Sequence, residues 1–150
     1  MNMKNQHFTT SIRVSNSASE VFQAVLDVRS WWSGLYDESF EGNSDNLGDE
    51  FSFRAGDGAH YSRQRLIEMV PDKKVVWQVV DANLNFVEKT DEWVGTRIEF
   101  TIEEHPDGTE IRFTHEGLVP EFECYNSCSP AWTRYIQERL TDVLANQKTN

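Results

Sequence analysis

The sequence predicts an α+β fold: a curved antiparallel sheet of about six to seven strands wraps one long C-terminal helix, and two short helices follow the first strand. Three observations predict it. Segments of alternating apolar residues recur between residues 8 and 116. The turns between the later segments are of hairpin length, which makes neighbouring strands antiparallel. After residue 128 the period changes, and Trp132, Ile136, Leu140, Val143 and Leu144 form one helical stripe. That stripe needs a sheet face to bury it. A curved sheet around a helix leaves a hollow, and hollows with apolar walls and a few polar groups are typical small-ligand sites.

The elements follow in order. Residues 8–14, FTTSIRV, put Phe8, Thr10, Ile12 and Val14 on one face of a strand. Ser17 and Glu20 have the spacing of a capping box, and Val21, Phe22, Val25 and Leu26 continue at helical spacing. A second helical turn carries the chain from Val28 through Trp32 and ends at Gly34. Tyr36 to Phe40 is a candidate short strand, and residues 41–50 are turn-rich. Phe51 and Phe53 share a face of the strand from Glu50 to Arg54. Gly56-Asp57-Gly58 turns the chain into a long strand over residues 59–70, which ends at Pro71-Asp72-Lys73. Val75 to Val80 is a strand with Trp77 on the face of Val75 and Val79. Residues 81–93 carry no clear period. In the strand from Val94 to Ile102, Val94, Ile98, Phe100 and Ile102 point inward. His105-Pro106-Asp107-Gly108 closes a hairpin, and Ile111, Phe113 and His115 point inward on its return. Ser129 fits an N-cap and Pro130 the first position of the final helix.

Length and charge narrow the function. A chain of 150 residues favours one domain spanning residues 1–150. A net charge of −11 repels phosphate backbones and anionic lipid, so neither nucleic acid nor a membrane surface is an expected partner. No apolar run reaches the length of a transmembrane helix, and the N-terminus has no apolar signal region, so a cytoplasmic location is expected. Cys124 and Cys128 read as thiols rather than a disulfide framework. With His115 they fall short of a zinc site, since no second close ligand pair exists, and neither a metal nor another cofactor is expected.

Several stretches together resemble a known family. They are Ser19-Glu20-Val21-Phe22, Trp31-Trp32, Gly48 to Phe53, Glu68 with Pro71 to Trp77, Gly108 to Leu118 and the helix of Trp132. In this order they are similar to the START-like, helix-grip superfamily (SRPBCC), and within it to the heat-shock-protein ATPase activator homologue group, also called AHSA-type or polyketide-cyclase-like. The resemblance covers nearly the whole chain. It implies the fold and an internal cavity, but no single activity, because the superfamily spans carriers, receptors and cyclases.

The candidate cavity lining is Trp32, Phe51, Phe53, Tyr61, Arg63, Trp77, Phe100, Phe113, His115, Trp132 and Ile136. His115 shares the inward face of Ile111 and Phe113. It reads either as a cavity histidine that moves a proton or as a strand-end histidine bonded to backbone or half exposed. The strand over residues 59–70 has no wholly apolar face. With its odd face inside, Tyr61, Arg63 and Arg65 enter the hollow, and a buried guanidinium there needs a carboxylate or an anionic ligand. With its even face inside, His60, Ser62 and Gln64 line it. Trp31 and Trp32 are neighbours, so one is expected to anchor the core and the other to sit at the rim of the hollow or in solvent; the resemblance favours Trp32 as the inner one. Residues 81–93, with Phe86 and Trp93, are an expected cover for the entrance.

Three functions compete. The first is binding of a small hydrophobic, largely apolar and in one version anionic molecule. The second is a cyclase- or dehydratase-like enzyme using His115 with Arg63 or Tyr61. The third is a module that modulates a chaperone ATPase. A homodimer is compatible with each. A binder needs an enclosed pocket, an enzyme a titratable group aimed at the ligand, and an interaction module an exposed apolar patch.

Overall fold

The structure is a computed structural model and describes residues 7–119, 122 and 125–148, save the side chains of residues 127, 147 and 148. Cys124 and residues 1–6 lie outside the described residues. The fold is α+β, with seven strands in one antiparallel sheet ordered β1-β7-β6-β5-β4-β3-β2. The strands are β1 (Phe8–Val14), β2 (Ser39–Gly42), β3 (Glu50–Ala55), β4 (His60–Val70), β5 (Lys74–Leu84), β6 (Arg97–His105) and β7 (Gly108–Glu116). Helices α1 (Ala18–Leu26) and α2 (Val28–Trp31) follow β1. The C-terminal helix runs as α3 (Tyr125–Arg134), a π-helical turn (Tyr135–Leu140) and α4 (Thr141–Lys148).

The start of α1 is closed by the capping box. Ser17 Oγ accepts from the Glu20 N–H, and Glu20 Oε1 accepts from the Ser17 N–H. Val21, Phe22, Val25 and Leu26 are all buried against the sheet.

Two extra residues bend the central strands. Opposite Arg63 and Gln64, β5 offers Asp81 and then Val79, so Val80 is the unpaired residue. The inward face of β5 therefore switches from Val75, Trp77 and Val79 to Ala82 and Leu84. On β4, Leu66 pairs with Trp77 and Glu68 with Val76, which leaves Ile67 extra. Bulges of this kind increase local twist and bend the strand, and here they bend the sheet at β4 and β5.

Several boundaries differ from the sequence expectation. Residues 36–38 of the expected strand are not strand, because the backbone N–H groups of Gly34, Leu35 and Tyr36 all donate to the Glu38 carboxylate and hold the chain in a turn. Pairing with β3 starts only at Ser39. β6 starts at Arg97, since the chain turns at Gly95 (φ 89°), and Val94 points into solvent rather than inward. The final helix starts at Tyr125, so Ser129 is not its N-cap; Ser129 Oγ donates back to the Tyr125 carbonyl. Pro130 lies inside the helix on its exposed side, where the hydrogen bond it cannot make is lost at the solvent-facing Asn126 carbonyl.

Candidate functional site

Trp31 and Trp32 are both buried, at 0% and 2% exposure, which corrects the expectation that one sits at the rim. The helix ends between them. Trp32 leaves helical geometry at ψ 46°, so the two rings point the same way and stack at 5.8 Å with 7° between planes. Trp31 is core: its indole N–H donates to the Val25 carbonyl, and its ring meets Phe100 edge-on. Trp32 stacks on Phe53 at 4.2 Å and forms one wall of a pocket.

The pocket has a volume of about 300 Å³ and lies where β3, β4, the segment after β5 and α3 meet. Trp32, Phe53, Trp93, Trp132 and Tyr135 form its aromatic walls. Ala55, Gly56, Ala59 and Ala131 are small enough to leave the space open, and the buried Cys128 also borders it. Tyr36 and Phe86 border it while staying 39% and 45% exposed, which places them at the mouth. None of the residues that border it carries a carboxylate, an ammonium or a guanidinium.

His60 is the titratable imidazole on this wall. Its ring meets Trp93 at 4.4 Å and Phe53 at 5.3 Å, both edge-on, and its Nε2 has no hydrogen-bond partner among the described residues. Burial lowers its pKa from 6.5 to about 4, so the ring is neutral at pH 7. The next inward residues of β4, Ser62 and Gln64, are fully buried. The even face of β4 is therefore the inner one.

Tyr61 and Arg63 are corrected accordingly. Arg63 is exposed on the outer face, and Tyr61 lies on that face under the Arg54 guanidinium, 4.7 Å from its ring centre. Burying His60, Ser62 and Gln64 removes three uncharged groups from water, whereas burying the odd face would have stranded two guanidinium groups.

His115 is fully buried and does not border the pocket. The Trp132 indole N–H donates to its Nδ1 at 3.0 Å. Its Nε2 lies 2.8 Å from Thr96 Oγ1, whose own hydrogen goes to the Trp93 carbonyl at 2.6 Å. Thr96 must then accept, so Nε2 carries the ring proton and His115 is a neutral bridge between β7, the segment of Trp93 and Thr96, and α3. Burial, then the nearby His60 and His7, lower its pKa to about 3. Gly117 (φ 100°) makes room for this: a Cβ there would sit 2.7 Å from the Thr96 methyl. The bridge fits neither sequence reading of His115.

Of the other candidates, Trp132 and Phe53 border the pocket. Phe51, Trp77, Phe100, Phe113 and Ile136 are buried core beneath it. Phe86 and Trp93 border it too, where the covering segment was expected. Tyr135 was missed because the helical stripe counted from Trp132 passes through Ile136. The π-helical turn at residues 135–140 lets both Tyr135 and Ile136 face inward. Tyr135 donates to Glu38 Oε2, and burial together with that carboxylate holds its pKa well above the usual tyrosine range.

The family described as "Activator of Hsp90 ATPase homolog 1-like protein" matches residues 15–145. The chain belongs to this family. No curated protein gives a match to the chain. Among solved structures, the Aha1 dimer from Colwellia psychrerythraea is 22% identical over 92% of this chain and 95% of its own, with a TM-score of 0.70. A protein from Arthrobacter aurescens is 12% identical over 97% of this chain and 90% of its own, with a TM-score of 0.73. A protein from Mesorhizobium loti is 19% identical over 92% of this chain and 97% of its own, with a TM-score of 0.68. At these identities the likeness to solved structures shows the fold. Among the described residues no helix is long and apolar enough to cross a membrane.

Proposed function

We propose that this chain binds a small, largely apolar, uncharged molecule in the pocket between β3, β4 and α3. The observation that carries this reading is the pocket of about 300 Å³ with aromatic walls and no charged side chain on its border. Apolar concave sites with few polar groups are the usual form of small-molecule sites. The anionic version of the expected ligand loses its support, because Arg63 and Arg65 are exposed on the outer face of β4 and His60 is neutral at pH 7.

An enzyme of the cyclase or dehydratase kind needs an acid or base that changes state near its working pH. Among the described residues, the imidazoles of the inner face titrate at about 4 and about 3. His115 is further closed off by Thr96 and Trp132. Binding is therefore favoured over acid–base catalysis. The family description speaks for a third reading, modulation of a chaperone ATPase. The dimer named for the Colwellia psychrerythraea relative makes a homodimer worth testing by light scattering.

Native mass spectrometry of freshly purified protein tests the proposal. A retained molecule that is lost on denaturation is expected, with tryptophan fluorescence quenched when it is added back, since Trp32, Trp93 and Trp132 border the pocket. An apo mass, together with no quenching by any of a set of small aromatic compounds, would reject the binding reading and leave the protein-partner one.

A further inference from the structure

The inner face of β4 carries more polar groups than the protein satisfies. Ser62 and Gln64 are both 0% exposed. Ser62 Oγ, Gln64 Oε1, Trp77 Nε1 and His60 Nε2 are shut from solvent with no partner among the described residues. The only hydrogen bond of the Gln64 side chain among those residues is a long one, 3.5 Å to the Phe51 carbonyl. Nearly all buried polar side-chain atoms in folded proteins are hydrogen-bonded, so orphans clustered along one strand face are a signal.

The four atoms belong together. His60, Ser62 and Gln64 are alternate residues on one face of β4, and Gln64 lies diagonally across from Trp77, which pairs with Leu66. The row begins at His60, its one member on the pocket wall, and Ser62, Gln64 and Trp77 continue inward behind that wall. It offers a donor at the Trp77 indole, an acceptor at Gln64 Oε1, and a hydroxyl at Ser62 that serves as either. No guanidinium or ammonium lies on this face of β4.

We infer that the pocket extends along this row when occupied, so that the row becomes its polar end and selects a ligand whose apolar body carries an uncharged hydroxyl or carbonyl oxygen, most simply a flat aromatic alcohol or ketone. The inference rests on the binding reading above. Mixed donors and acceptors match an oxygen that both gives and takes a hydrogen bond. A carboxylate only accepts and would be desolvated without a cation. The aromatic walls, including the Trp32–Phe53 stack, hold the body of the ligand.

The test compares three probes by tryptophan quenching at pH 7: naphthalene, 1-naphthol and 1-naphthoate. The expected order is 1-naphthol tightest, by about tenfold over naphthalene, with 1-naphthoate weakest; a factor of this size is what one or two net hydrogen bonds give. In Ser62→Ala and in Trp77→Phe, the advantage of 1-naphthol over naphthalene should disappear. Two variants at separate positions guard against one that folds poorly. Equal binding of naphthalene and 1-naphthol, or an advantage of 1-naphthol that survives both substitutions, overturns the polar row and leaves the pocket standing. Tightest binding of 1-naphthoate overturns the choice of an uncharged oxygen. Failure of all three probes to bind overturns the pocket reading and this inference with it.

Discussion

Trp132 on the final helix donates its indole N–H to Nδ1 of His115 on β7, at 3.0 Å. This bond ties the helix to the sheet at the depth of the core. It also fixes the imidazole tautomer, so that Nε2–H meets Thr96 and the relay ends on the Trp93 carbonyl. One neutral ring thereby positions two walls of the pocket, Trp93 and Trp132.

Removing the ring should cost stability. His115→Ala leaves the Trp132 N–H buried without its acceptor, which costs about 1–3 kcal/mol, removes the bond into Thr96, whose hydroxyl still donates to the Trp93 carbonyl, and leaves a cavity where the ring packed. A loss of about 2–5 kcal/mol is expected in urea unfolding. A loss below about 0.5 kcal/mol would mean that the relay is dispensable.

Acid should destabilise the fold through the same groups. His115 and His60 have folded pKa values lowered to about 3 and about 4, from an unfolded value of 6.5. Between those limits the unfolded chain binds more protons, so stability is full above pH 6.5 and falls as pH drops. Each histidine contributes a slope of about 1.4 kcal/mol per pH unit. Urea midpoints measured from pH 7 down to pH 4 should decline, and the decline should be shallower in His60→Phe. A flat profile over that range would mean that the fold holds neither histidine neutral.

Ser62→Ala should not destabilise the protein. Its hydroxyl is buried with no partner among the described residues, so deleting it removes a desolvated group and breaks no bond. A change between zero and about +1 kcal/mol is expected in thermal or urea unfolding. A clear loss would show that Ser62 is bonded in solution.

Arg63→Ala separates the two faces of β4. Arg63 is exposed on the outer face, so ligand binding should be unaffected and stability should stay within about 0.5 kcal/mol. Phe53→Ala, by contrast, removes a buried ring stacked on Trp32 and should cost about 3–5 kcal/mol as well as binding. Loss of binding in Arg63→Ala would return the guanidinium to the site.

Phe86→Ser probes the mouth. Its ring is 45% exposed, so unfolding should change little, while release of a bound probe in stopped-flow should speed up several-fold. An unchanged release rate would take Phe86 out of the exit path.

The sequence by itself determined the order of the elements, the start of α1 and the inward faces of β1, β3 and β7. Those properties are local: a period of two or near four, a capping pair, a proline or glycine at a turn. It also pointed to three wall residues, Phe53 on the inward face of β3, Trp132 on the stripe of the final helix and Trp32 after α2, and to the covering segment of Phe86 and Trp93. What only the tertiary structure decided depends on contacts between distant segments. The inner face of β4 is the uncharged one, because desolvating two guanidinium groups costs more than desolvating His60, Ser62 and Gln64. Both tryptophans at 31 and 32 are buried because the helix ends between them. Tyr135 joins Ile136 on the inside because a π-helical turn shifts the register. His115 left the ligand wall for a relay whose partners, Thr96 and Trp132, lie on separate elements, and no spacing within the sequence could have brought those three groups together.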